Sequence, residues 1–551
     1  MRVRQRRLPL ALAVALLLAG CAGGSDDNGA TSPTTVADQP ASTIRQGGTF
    51  RQPINEPAFI DPYNAQESNG NRVIKRLFVG LTTFDGNADL LMRPGVAETW
   101  SPDAACTQWT FNLRRSSFSN REPVTAESFI RGWTRAADGR AASRVAAHLA
   151  GIQGYAALRG APGSPPSATT FAGLSAPDPQ TLVVKLAAAD CEFDKKTIHS
   201  VMSPIPTVAG AHDNKEFNEA PIGNGPFKMK PGTKWEHDRG ISLVRNDGYY
   251  GPKPNIDGIE FVILPVQGPP NAQFSAFEAG ELDVATPPMG VRAQAEAKYG
   301  AAGGFLSQLP YSTALIGVNV SKGVLREADA RRAISLSIDR DAISKAVGEG
   351  YWKGATALVP PPFGTFHQAN VCDACRYEPA RAKDLGTRAG LGPSTRLRFL
   401  VNSATNPLAL AYKDQIEKNL GVVVELEALP FAEALSRQAA GEYDLISPSW
   451  SADYPTSENF LFPLLGKGSA ENAGKYDNPQ FDDLIGQARA QRDNGERRRL
   501  LQRAEQIAIG QDVALIPAFW VPTQHVFDAS KWTGVTLDFF GHLSFQTISL
   551  K

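Results

Sequence analysis

Tyr443-Asp-Leu-Ile-Ser-Pro-Ser-Trp-Ser-Ala-Asp-Tyr-Pro455 puts a carboxylate and two aromatic rings just past the end of a predicted strand. Upstream, residues 397–401 (Leu-Arg-Phe-Leu-Val) alternate as a strand, Pro407–Leu420 fits a helix stopped by Gly421, and residues 422–427 form a second strand. A further helix, Phe431–Ala440, precedes the strand that begins at Tyr443. Strands alternating with helices of this length imply parallel pairing through right-handed crossovers, in an α/β architecture whose ligands gather at the carboxyl ends of the strands. Two loops leave those ends, residues 402–406 (Asn-Ser-Ala-Thr-Asn) and 447–453. If the strands are neighbours, both loops face one cleft.

Trp450-Ser-Ala-Asp453-Tyr-Pro, followed by Glu458-Asn-Phe-Leu461 and Tyr476-Asp-Asn-Pro-Gln-Phe-Asp482, resembles the oligopeptide and dipeptide branch (family 5) of the extracellular solute-binding proteins of ABC importers. The resemblance extends along the chain through Gly48-Thr-Phe, Ile60-Asp-Pro62, Leu77-Phe-Val-Gly-Leu81, Val96-Ala-Glu-Thr-Trp100 and Trp109-Thr-Phe-Asn-Leu-Arg114. It continues in Pro221-Ile-Gly-Asn-Gly-Pro-Phe227, Phe277-Glu-Ala-Gly-Glu-Leu-Asp283 and Ile338-Asp-Arg-Asp-Ala-Ile343. It implies a two-lobed periplasmic-binding-protein-like fold (class II, cluster C) with an inserted subdomain and a hinge. Lobe I is expected from residues 47–85, 207–310 and 513–551, the insert from 86–206 and lobe II from 311–512.

The amino terminus reads as a lipoprotein signal at residues 1–20: Arg2, Arg4, Arg6 and Arg7 precede an apolar run, and Leu18-Ala-Gly-Cys21 marks Cys21 for lipidation. Residues 21–46, rich in Gly, Ser, Thr, Asp and Pro, form a flexible tether. The expected location is extracytoplasmic, on the cell membrane through the lipid. About 505 residues remain, enough for roughly three lobes. Lysine and arginine total 56 against 56 aspartates and glutamates, a balance that gives no field for nucleic acid.

Cys106, Cys191, Cys372 and Cys375 remain after Cys21, and four cysteines allow three disulfide pairings. Cys372 and Cys375 can close a small loop, while Cys106 opens the strand-like run Gln108–Leu113 and Cys191 follows another at 181–186. Neither a zinc-ligand pattern nor a redox motif at a helix start accompanies them, so the expected role is structural and no metal or cofactor is expected.

The resemblance implies that Asp453 neutralises the free amino terminus of a peptide and that Trp450 lines a side-chain pocket. The backbone of Ser449 and Ser451 can pair with an extended peptide as an added strand. Tyr454 and Asn402 complete the expected contacts. The expected partners are a peptide ligand and the permease and ATPase subunits of an importer, with the chain itself a monomer. A nickel, haem, opine or oligosaccharide cargo is the alternative. A secreted hydrolase is disfavoured, since no Gly-x-Ser-x-Gly or His-Glu-x-x-His motif occurs.

Overall fold

The computed structural model describes residues 45–551 except 88, 162–163, 213, 265–270 and 402–405. The expected signal, Cys21 and residues 21–44 of the tether therefore lie outside the described residues, as does Asn402, while Arg45, placed in the tether, bridges Leu550. No described helix is long and apolar enough to cross a membrane.

Three large hydrophobic cores organise the described chain. One is built by β1 (Thr49–Ile54), which pairs in parallel with Gly258–Ile263, by α1 (Ser68–Leu77), and by the C-terminal segment around Trp532, Phe545 and Ile548. A second lies within residues 81–202, under Trp109, Phe111, Phe129 and Trp133. The third takes in residues from Tyr311 to Phe539, with Leu90 joining from upstream.

The third core carries a seven-stranded mixed sheet. Its centre is β2 (Ser312–Val318), flanked by strands far from it in sequence. β3 (Arg396–Val401), α2 (Pro407–Leu420), β4 (Val423–Ala428), α3 (Phe431–Ala440) and β5 (Leu445–Ile446) follow the predicted alternation. β3 pairs in parallel with both β4 and β5, in the registers Phe399↔Leu426 and Phe399↔Leu445. Local chemistry sets α2. The Asn406 side chain accepts the Leu408 and Ala409 N–H groups, Pro407 supplies a helical φ at the first turn, and Gly421 ends the helix at φ 69°.

Two differences from the sequence reading matter. Ser449–Ser451, read as part of a loop, is a short strand, β6, antiparallel to β2. β7 (Leu515–Trp520), buried along its whole length, pairs with β2, whereas β8 (Thr523–Phe527) pairs with Val284–Ala285 and Phe305–Gln308 in a separate sheet. The chain therefore leaves the seven-stranded sheet between Trp520 and Thr523.

Gln108–Leu113 and Thr181–Lys185 are adjacent antiparallel strands, and this brings Cys106 within bonding distance of Cys191. Cys372 and Cys375 are likewise paired.

Candidate functional site

β6 leaves one edge open. Its register with β2 is Ser312↔Ser451, Thr313↔Trp450 and Ala314↔Ser449. The flanking bonds, Ala452 N–H to Tyr311 O at 2.8 Å and Leu315 N–H to Pro448 O at 2.9 Å, make Ser312↔Ser451 and Ala314↔Ser449 the wide pairs of the ladder. The Trp450 N–H and C=O thus face β2, while those of Ser449 and Ser451 point the other way. Both serines are exposed, and their backbone groups have no partner among the described residues. β3 lies beside β5 and stops short of β6, so the loop after Val401 leaves from the same end of the sheet.

Asp453 lies two residues past the end of β6. Asn459, at the start of Glu458–Leu465, orients it: Asn459 Oδ1 accepts the Asp453 N–H at 2.8 Å, and Asn459 Nδ2 donates to Asp453 Oδ2 at 3.2 Å. The Trp450 indole N–H donates to the Asn459 carbonyl at 2.8 Å, so one asparagine ties aspartate and tryptophan together. Trp450 is half-buried against the third core. Tyr454 is buried, with the His148 ring edge-on at 6.3 Å and the Lys196 ammonium 5.8 Å from its own ring.

Sequence reasoning missed the groups that approach Asp453 from elsewhere. One ring nitrogen each of His148 and His199 and a carboxylate oxygen of Asp453 lie within 4.8 Å of one another. The two imidazoles stack at 3.9 Å. His199 Nδ1 accepts the Val201 N–H at 3.1 Å, so the proton of the neutral ring sits on Nε2. That ring donates a hydrogen bond more readily than it ligates a metal. Burial, the neighbouring His148 and Lys75 all push the His199 pKa well below its ordinary value. Burial also pushes the Lys75 amine down to about 7, against the pull of Asp538. Asp453 has no ion pair among the described residues. It is a half-buried carboxylate beside the neutral His199 ring and a weakened cation, an arrangement open to a cationic ligand.

Contacts beside the site join residues of 86–206 to those of 311–512. Glu192 Oε2 accepts the Thr456 hydroxyl at 2.6 Å, and Glu192 Oε1 meets Lys195 Nζ at 2.6 Å and Arg497 Nη1 at 3.4 Å. Burial opposes ionisation of Glu192, but Lys195, Arg497 and the Thr456 hydroxyl outweigh it and hold the carboxyl at about 2. A cavity of about 350 Å³ lined by Arg499, Gln502, Arg503 and Gln506 contains none of the candidate residues.

The family model for bacterial extracellular solute-binding proteins, family 5, matches residues 92–472, and the chain belongs to that family. It is 29% identical over 516 residues to the oligopeptide-binding protein OppA of Bacillus subtilis, covering 90% of this chain and 91% of that protein. It is also 29% identical over 508 residues to the probable deoxycholate-binding periplasmic protein YgiS of Escherichia coli, covering 89% and 91%. The structure of the Escherichia coli murein tripeptide binding protein MppA superimposes with a TM-score of 0.75 at 25% identity, covering 93% of this chain and all of that one. The fold is that of the two-lobed periplasmic binding proteins, and the chain is a binding protein of transport systems rather than an enzyme.

Proposed function

We propose that the protein captures peptides in extended form between its lobes and hands them to an ABC permease and its ATPase. The carrying observation is the open edge of β6, whose Ser449 and Ser451 backbone groups point away from β2 beside Asp453, which has no ion pair among the described residues. A peptide laid along that edge gains backbone hydrogen bonds regardless of its side chains, the mode of an added strand. Asp453 takes the ammonium at its amino end, Trp450 walls a side-chain pocket, and Tyr454 backs the aspartate with its buried ring. Asn402 is a further contact from the loop after β3. Relatives named for oligopeptides and for a murein tripeptide support the peptide class. The anchor is part of the same reading, with a diacylated Cys21 tethering a monomer outside the membrane.

Native mass spectrometry of the mature protein as purified tests both parts. A ladder of retained peptide masses and an acyl-bearing amino-terminal Cys21 are the expected results. A single retained steroid, sugar or metal mass would overturn the peptide assignment, and a mature chain without acyl mass would overturn the anchor.

A further inference from the structure

Arg72, Lys75 and Arg76 stand at i, i+3 and i+4 on α1, so three cations share one helix face. Two of them have partners. Arg76 Nη2 donates to the Leu543 carbonyl at 2.8 Å with its guanidinium 5.0 Å from the Phe545 ring, and Lys75 lies over the Phe540 ring in the field of Asp538 and Asp453. The Arg72 side chain makes no hydrogen bond or ion pair among the described residues, and its Nε is buried without a partner. The acids that feel its charge are committed elsewhere. Glu67 accepts the Asn69 and Gly70 N–H groups at the start of α1, and Asp538 accepts those of Phe540 and His542. Burial accordingly lowers the Arg72 pKa, with Glu67 and Asp538 countering it only in part.

Arg72 lines a cavity of about 60 Å³ with Gln52, Asn69, Thr286 and His525, and no acid lines it among the described residues. That is the room of about two waters, enough for a carboxylate but not for a ring. Burial and Arg72 push His525 down to about 4, so the histidine is neutral and the cavity keeps the single positive charge of Arg72. The Asn69 side-chain oxygen accepts the Asn55 N–H at 3.3 Å, which leaves its NH₂ as a donor. Gln52 Oε1 is buried and unpartnered, and its amide can turn to donate as well. The cavity thus holds a planar fork of donors, an extra amide donor and no competing acid.

We propose that this cavity is a carboxylate subsite, in which Arg72 takes a carboxylate of the bound ligand through paired N–H···O bonds, with Asn69 as a second donor. The identity of the molecule carrying the carboxylate rests on the peptide reading, where it is the carboxyl end or an acidic side chain. The anion preference itself does not. Arg72 lies one helical turn before Lys75, which feels Asp453.

Saturation-transfer NMR with sodium acetate, at ionic strength fixed with perchlorate, isolates the carboxylate from any peptide. Wild-type protein should bind acetate, and Arg72→Gln should weaken it at least about tenfold while the thermal midpoint confirms folding. Should Arg72→Gln fail to fold, Asn69→Ala serves in its place with a several-fold loss expected. Equal acetate binding by wild type and variant, or none by wild type, overturns the subsite. A companion mixture of short peptides, as free acids and as amides, separates the two readings. Preference for acids that disappears in Arg72→Gln supports the subsite, and an unchanged preference sinks it while leaving peptide binding intact. No peptide retained, with acetate bound and lost in the variant, sinks the peptide reading and leaves the subsite standing.

Discussion

Asp453 owes its proposed role to what surrounds it as much as to its own charge. Its position in Trp450-Ser-Ala-Asp453 is legible in the sequence, because the motif follows a strand end. Lys75, His148 and His199 are not, since each is separated from Asp453 by hundreds of residues and none sits in a pattern that points to it. The Lys75 amine, held near 7 by burial, gives binding a pH dependence. An ammonium docked at Asp453 disfavours a charged Lys75, so binding expels its proton, and affinity falls as pH drops through 7 and Lys75 starts out charged. Peptide amines titrate only near 7.7–8.0, so roughly pH 5.5 to 7 keeps the ligand's own proton out of the measurement. Calorimetry should show affinity for a free-amino peptide rising several-fold over that range in wild type, at most about tenfold per unit for one proton. The same titration should be flat for Lys75→Met, and a slope that survives the substitution would assign the proton to another group.

At the scale of elements, the parallel run was readable because each piece carries its own signal. Asn406, Pro407 and Gly421 bound α2 by chemistry that needs no distant partner, and the alternation of residues 397–401 announces β3. β6 gave no such signal. Three residues, two of them serine, have little strand propensity, and their pairing with β2 depends on a partner more than 130 residues upstream in sequence. Arg72 was missed for a similar reason, because its cavity is assembled from β1, α1, β8 and the segment around Thr286. The free edge of β6 predicts a backbone effect on the ligand side. A peptide N-methylated at the amide that meets Ser449 or Ser451 loses one hydrogen bond, worth about 0.5–1.5 kcal/mol, or roughly two- to tenfold in affinity. Methylation at the alternate amide, facing away from β6, should cost nothing. Equal losses at both positions would mean that the ligand does not lie along this strand.

Over the whole molecule, one core gathers residues from both ends of the described chain, Phe50 with Trp532 and Phe545, so the chain leaves that body and returns to it. The links between these sheets are short: Leu309, Pro310 and Tyr311 lead from Phe305–Gln308 into β2, and only two residues separate β7 from β8. Short links of this kind allow hinge closure around a ligand, and Glu192, bonded to Thr456 and Arg497, offers a latch beside the site. Closure would strip water from Asp453 and from the ammonium it meets, so the loss of either charge leaves the other buried without a partner. Such a loss costs about 3–5 kcal/mol, a hundredfold or more in affinity. Calorimetry of wild type and Asp453→Asn, each with one peptide in free-amino and N-acetylated forms, measures this pair most directly. Each single change should weaken binding about a hundredfold or more, and the double change should cost little beyond either alone, because both break one interaction. Fully additive losses, or wild-type affinity in Asp453→Asn, would show that Asp453 is a structural residue and that the ligand is held elsewhere.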